Sequence, residues 1–249
     1  MKKYNFFILS ALLLTACSSC DLLFNNNKQK DDGKEPTYSP NYAWQLKLDG
    51  RRIGSQPYTE GRYFYLIEYL SDTKAVQLVK IDMETGRYVW KAETLDDGHE
   101  WYSSNIVKVD NKLYFMRPNS GLIYCYADND GKLLARVQIG TTEAEAIRNS
   151  CSRDLIVTDG SSLYWGSEGE QEAYGKHLFK LELTIIGYTQ TNSIQSILPK
   201  SIYTKENWRE CIFRGTPIID NGVLFFNTFN RDYPDGYSTL VAIDLQSET

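Results

Sequence analysis

The run Asp128-Asn129-Asp130-Gly131 places three oxygen-bearing side chains ahead of a glycine, the residue types with which a calcium loop begins. A loop of that kind also needs a distant bidentate Glu, and the remainder of the pattern is missing. The same four residues suit a tight turn with Gly in the left-handed region, which is the expectation here. Asp96-Asp97-Gly98-His99-Glu100 gathers further candidate ligands. Neighbours within one loop seldom converge on one ion, so a solvated loop is expected. His99 and His177 are the only histidines, and Cys125, Cys151 and Cys211 have neither a Cys-x-x-Cys nor a Cys/His metal spacing. No Gly-x-Ser-x-Gly elbow and no phosphate-binding Gly loop occurs. These residues predict no catalytic group, no metal site and no cofactor. The candidate ligand contacts that remain are the aromatic side chains of Trp101, Tyr102 and Trp208, with Tyr174 and Tyr233 in further loops. Such rings stack on sugars or anchor protein interfaces, and they serve equally well as packing between sheets.

The elements that must position these groups follow from a repeated phrase. Its clearest copy is Lys80-Ile81-Asp82-Met83-Glu84-Thr85-Gly86-Arg87-Tyr88-Val89-Trp90, a strand, an acidic turn ending in Gly, and a strand closing on Trp. Weaker copies run through residues 124–134, 178–183 and 240–249, the last stopping where its Gly is due. Their anchors, Ile81, Tyr126, Leu181 and Ile243, lie 45, 55 and 62 residues apart. Ahead of each copy stands a hairpin, turning at Glu60-Gly61, Asp110-Asn111-Lys112, Thr158-Asp159-Gly160 and Asp220-Asn221-Gly222. Asn-Gly between apolar runs is a strong hairpin signal because both turn positions need positive φ. Four strands per unit of this length is the mark of a propeller blade. The expected fold is all-β, a β-propeller of four-stranded antiparallel blades with about four blades present, an incomplete ring over residues 41–249. A β-sandwich is the second choice. Residues 168–176 and 189–207 are expected as insertions in connecting loops, and residues 143–148 as a short helical turn. Ala43-Trp44-Gln45-Leu46-Lys47-Leu48 reads as the outermost strand of a blade arriving ahead of the first. The ring is expected to continue beyond Thr249.

The phrase Ile81-Asp82-x-x-Thr85-Gly86-x-x-x-Trp90 resembles the tryptophan-docking motif of PQQ-like propellers, which include quinoprotein dehydrogenases and BamB-like lipoproteins. The resemblance implies that Trp90 docks on the neighbouring blade, and that glycines such as Gly86 and Gly131 let the turn pass close beneath. It makes Asp82, Thr85, Gly86, Trp90, Gly131 and Asp244 structural repeat positions. Ala135 stands at the second copy's Trp position, and the third copy lacks the Thr-Gly turn. Quinoprotein dehydrogenases add PQQ, Ca²⁺, a catalytic Asp and an adjacent Cys pair; no such pair exists here. The motif specifies a scaffold and leaves the function open.

The cellular address comes from the N-terminus. Lys2 and Lys3 precede an apolar run over residues 6–16, too short to span a bilayer and proportioned like a secretory h-region. Leu14-Thr15-Ala16-Cys17 resembles the lipobox of bacterial lipoproteins, which implies a signal peptide over residues 1–16 and lipidation (palmitate among the acyl chains) at Cys17. Cys20 is the second choice. Several acyl chains together make a stable anchor. Residues 17–40, rich in Asn, Lys, Asp and Pro, read as a flexible tether. A net charge of −5 lacks the basic footprint of a nucleic-acid binder. The expected protein is a lipoprotein of the bacterial cell envelope, at the outer membrane by the resemblance. It would be a non-catalytic scaffold whose partners are the membrane, through the anchor, and another envelope protein or a surface polymer. The alternative is a quinoprotein-type or glycan-processing enzyme or sensor whose active site lies in a missing C-terminal half. Three reduced thiols at Cys125, Cys151 and Cys211 are expected, one disulfide plus a free thiol being the alternative.

Overall fold

The computed structural model describes residues 44–46, 48, 51–70, 73, 75–95, 103–167, 176–188, 193–205, 210–212, 217–230 and 238–247. The leader and tether with Cys17, the acidic run 96–100, and Trp101, Tyr102, Tyr174, Trp208 and Tyr233 lie outside these residues.

Four antiparallel sheets follow one another along the chain. The first holds β1 (Arg51–Ile53), β2 (Tyr58–Glu60), β3 (Tyr63–Leu70), β4 (Val76–Asp82) and β5 (Arg87–Lys91), with β1 and β2 both pairing β3. The second runs β6 (Val107–Val109), β7 (Lys112–Arg117), β8 (Leu122–Ala127) and β9 (Leu133–Gln138) as a meander. A helix, α1 (Glu143–Asn149), separates it from the third, where β10 (Cys151–Thr158), β11 (Ser162–Ser167) and β12 (Lys176–Glu182) pair in order. The chain then adds β13 (Ile194–Ser196) and β14 (Lys200–Lys205) before the fourth sheet, β15 (Glu210–Ile212), β16 (Ile218–Asp220), β17 (Val223–Asn230) and β18 (Ser238–Asp244). In that sheet β15 and β16 both pair β17, which pairs β18. This is an all-β fold of antiparallel propeller blades in an incomplete ring.

The first three sheets bury both faces, which is why their middle strands read as nearly unbroken apolar runs. On β3, Tyr65, Ile67 and Tyr69 share one core with Leu113, Phe115, Tyr124 and Tyr126 of the second sheet. The alternate residues of that sheet, Tyr114, Met116, Ile123 and Cys125, meet Ile156, Leu163, Trp165 and Phe179 of the third. Tyr164 and Leu178 in turn meet Leu224 and Phe226 of the fourth. A period of two on every strand thus makes one sheet the floor of one core and the roof of the next.

The helix over 143–149 agrees with the expected turn. Thr142 caps it, its Oγ1 accepting from the Glu145 N–H (3.2 Å), while the Glu145 carboxylate accepts from the Thr141 N–H (2.7 Å) and hydroxyl (2.6 Å). The stretch 189–207 departs from its expectation as a connecting loop. Within it β13 reaches back to pair in parallel with β9 as a fifth strand on the second sheet, and β14 supplies the outer strand of the third. An open edge on β9 takes whichever extended segment passes it, and β13 also covers that edge. Cys125 and Cys151 are buried and in no disulfide. The Cys211 side chain is not among those described.

Candidate functional site

The repeat phrase builds its own junctions between sheets. At its turn the Asp82 carboxylate accepts from the backbone N–H groups of Glu84 (2.9 Å) and Thr85 (3.3 Å), and Arg62 pairs with it from the hairpin before. The Arg62 hydrogen bond holds the Asp82 carboxyl below its usual range. Thr85 Oγ1 accepts from the Arg87 N–H at 3.4 Å, and the Gly86 N–H closes the turn on Asp82 O at 2.8 Å. Asp244 repeats the device, its carboxylate accepting from the Gln246 N–H at 2.9 Å. These are turn-forming roles.

Trp90 leaves β5 opposite Lys80, past a bulge, and lies across Gly131 of the second sheet. Its Nε1–H donates to Asp128 O at 2.9 Å. Gly131 has φ +71°, and a Cβ there would fall 2.6 Å from the indole, so only Gly lets the ring approach. Trp44 repeats the contact one unit earlier. It lies over Gly86 (φ +66°) and donates to Met83 O at 2.5 Å. Residues 44–46 make no ladder with any described strand, yet Trp44 takes the place of an outer-strand tryptophan.

Beneath the docked Trp90 stands a charge cluster that binds the first two sheets together. Asp128 accepts from Lys80 Nζ (2.8 Å), Lys108 Nζ (2.8 Å) and Tyr65 OH (2.7 Å). Lys108 also pairs with Glu60, and Lys80 lies 4.2 Å from the centre of the Tyr63 ring. Burial alone would raise the Asp128 carboxyl, but the bonds from Lys108, Lys80 and Tyr65 outweigh it and bring it down to about 2. Burial and the Asp128 anion push the Tyr65 phenol well above its ordinary range. A carboxylate this acidic, with three donors on its two oxygens, is a poor base and a blocked nucleophile. The cluster has two positive and two negative members and works as a clamp. Because the folded carboxyl titrates below its unfolded value, its stabilisation is complete above about pH 4 and is lost as pH falls toward 2. The urea midpoint is expected to drop over that range, and an Asp128→Asn protein to show a shallower drop. Equal slopes in the two proteins would remove this role from Asp128.

The second junction is built differently. Ala135, at 5% exposure, sits opposite Cys125 in the register that Trp90 occupies opposite Lys80. The small side chain leaves room for Leu183 and Ile186, from the turn after β12, in the same core. Tyr188 follows, and its hydroxyl meets that of Tyr114 at 2.8 Å. Burial pushes the Cys125 thiol up to about 12, so it stays protonated and unreactive. Asn105 adds a side-chain rung to the third sheet, bonding Ile156 N (2.8 Å) and O (2.9 Å). His177 stacks on Phe179 and bonds Ser201 and Thr204 hydroxyls. Among the described residues no group of three His, Cys, Asp or Glu side chains is placed to hold a metal.

Asp82, Thr85 and Gly86 thus shape the turn on which Trp44 lies, and Trp90 and Gly131 meet at the junction of the first two sheets. Sequence reasoning read Asp128 as a turn residue and passed over its partners Lys80 and Lys108, and Asn105. Lysines at inward positions of otherwise apolar strands, Val79-Lys80-Ile81 and Val107-Lys108-Val109, were the available signal, since Lys is almost never buried without a partner.

No protein-family model and no curated protein matches the chain. Among solved structures it is similar to Hsv2p of Kluyveromyces lactis, at 14% identity and a TM-score of 0.38, over 78% of this chain and 62% of that one. It is also similar to Hsv2 of Kluyveromyces marxianus, at 12% identity and a TM-score of 0.33, over 76% and 70% of the two chains. The chain thus spans about 62% of the length of the first. The propeller assignment rests on the four sheets themselves.

Proposed function

We propose that the protein is a lipid-anchored envelope protein whose propeller sheets serve as a non-catalytic scaffold for a protein or surface polymer. The anchor half of the reading is supported by Leu14-Thr15-Ala16-Cys17 and the polar stretch after it. The binding half is carried by the segment between β12 and β14. There Ile185 and Ile194 are 48% exposed and Leu198 is 62% exposed. The Gln195 side chain holds the segment in shape, accepting from the Gly187 N–H (2.8 Å) and donating to Ile185 O (3.0 Å). Apolar side chains displayed on a braced segment suit a binding face. The Asp128 cluster, fully occupied by its own lysines, is consistent with a scaffold and offers no reacting group.

The test is affinity capture from solubilised envelopes with the native chain, a Cys17→Ser chain and an Ile194→Ser/Leu198→Ser chain. A partner is expected with the native chain, absent or weak without the anchor, and reduced roughly ten-fold by the surface pair, about 1.4 kcal/mol. Both side chains are exposed, so the fold should survive the change. No partner in any arm, or equal capture in all three, would defeat the reading.

A further inference from the structure

The first two junctions are closed by different parts. Between the first and second sheets the tie is one side chain, Trp90 on Gly131. Between the second and third it is a strap of chain. Residues 183–188 leave β12 of the third sheet, β13 lies on the outer edge of the second, and β14 returns to the third. The near end of this strap is set deeply. Leu183 and Ile186 are buried with Ala135 in the core that the second and third sheets share. The Leu183 N–H donates to Ser161 O at 2.9 Å, and the Tyr188 hydroxyl lies 2.8 Å from that of Tyr114. Pro199, at the far end, is also buried.

The middle of the strap is held lightly. β13 pairs with β9 over three residues. The Ile197 N–H donates to Gln138 O at 2.9 Å, and the Ser196 hydroxyl donates to Gly140 O at 2.7 Å. Ile197 packs on the core in part, while Ile194 and Leu198 face water. The Gln195 side chain bonds Gly187 N and Ile185 O, so both of these bonds run within the strap. They brace its two limbs as one body and add nothing to its hold on β9. A piece with exposed hydrogen bonds and few buried apolar contacts opens at a lower free energy than the sheet it covers.

We propose that this strap is a latch with two positions. Closed, β13 lies on β9, the junction of the second and third sheets is shut, and Ile185, Ile194 and Leu198 are displayed by one braced body. Open, β13 leaves β9 and the apolar face is dispersed. A partner that binds this face binds the closed position, and by linkage it holds the second junction shut. The latch thus regulates the binding face of the scaffold; its partner rests on that reading, and its motion does not.

Backbone hydrogen exchange of the full chain in mild detergent tests the motion. The Ile197 amide should exchange roughly a hundred-fold faster than the amides of β8, the central strand of the sheet it covers. Ser196 and Gln138 are cross-strand partners, so a Gln138→Cys/Ser196→Cys chain can be locked by oxidation and freed by reduction. Locking should slow the Ile197 amide roughly ten-fold, and the Leu183 and Ile186 amides with it. Ile197→Pro removes the donor to Gln138 O and should hold the latch open. In that chain the Leu183 and Ile186 amides should exchange roughly ten-fold faster, and capture of the envelope partner should fall roughly ten-fold although Ile194 and Leu198 are unchanged. Circular dichroism should stay native, because β13 has only three residues. An Ile197 amide as slow as those of β8, equal exchange in the locked and reduced chains, or Leu183 and Ile186 amides indifferent to both variants would overturn the latch. Native capture by Ile197→Pro would overturn its control of the face. Exchange needs no partner, so failure of the native chain to capture one defeats the scaffold reading while the amides still decide the latch.

Discussion

Asp128→Ala is expected to destabilise the protein by about 3–5 kcal/mol, the cost of stranding one side of a buried ion pair. The Lys80 and Lys108 side chains that meet at Asp128 are only 9% and 10% exposed. Removing the carboxylate leaves two ammonium groups close together with little access to water, and Tyr65 OH without its acceptor. For a folded part of this length the melting temperature should fall by roughly 10 °C. Adding Lys80→Met and Lys108→Met to Asp128→Ala should recover most of the loss, because an apolar replacement of similar volume carries no desolvation cost. Urea unfolding of the single and triple variants measures both effects. A single variant within about 1 kcal/mol of native, or a triple variant less stable than the single, would show that the cluster is not the clamp between the first two sheets.

Gly131→Val should be nearly as damaging. A β-branched residue at φ +71° costs about 1–2 kcal/mol from backbone sterics alone. Its Cβ would also lie 2.6 Å from the indole of Trp90, so the ring must leave its seat and release Asp128 O. Undocking a large aromatic from a packed site adds about 3 kcal/mol. Trp90→Ala by itself should cost about the same 3 kcal/mol, and the two changes together should cost clearly less than their sum, since each removes the same contact. Additive losses would mean that Gly131 and Trp90 act independently and that the docked geometry does not matter to stability.

The legibility of these features differs for physical reasons. The resemblance to the tryptophan-docking motif implied the roles of Trp90, Gly86 and Gly131, and the reason for them is steric. A positive-φ turn accepts few residues other than Gly, and a ring needs a bare turn to lie on. The hairpin turns were equally visible, since Asn221-Gly222 and Gly61 answer to backbone dihedrals alone. Asp128 was not visible as a clamp. It shares the phrase position of Met83, and in the sequence it is one more acidic turn residue. Its partners lie 20, 48 and 63 residues away, on strands whose side-by-side placement no local pattern records. The tether, the anchor at Cys17 and the aromatics Trp101, Tyr102 and Trp208 are proposals of sequence and chemistry, and they lie outside the described residues.

The segment 189–207 shows the same division. Its length marked it as an insertion, but β13 has only three residues and bonds in parallel to a strand of the previous sheet. Such a pairing depends on which edge is open in three dimensions, and β9 offered one. By itself the sequence determined the repeating unit and the turn that closes it, because each is set by neighbours within a few residues; the tryptophan seat was implied by the resemblance to PQQ-like propellers. Tertiary structure alone decided which lysines converge on Asp128, which edge takes β13, and that Trp90 reaches Gly131 of the next sheet. Those outcomes depend on stacking one sheet on another, where charge, burial and edge pairing are properties of two sheets at once.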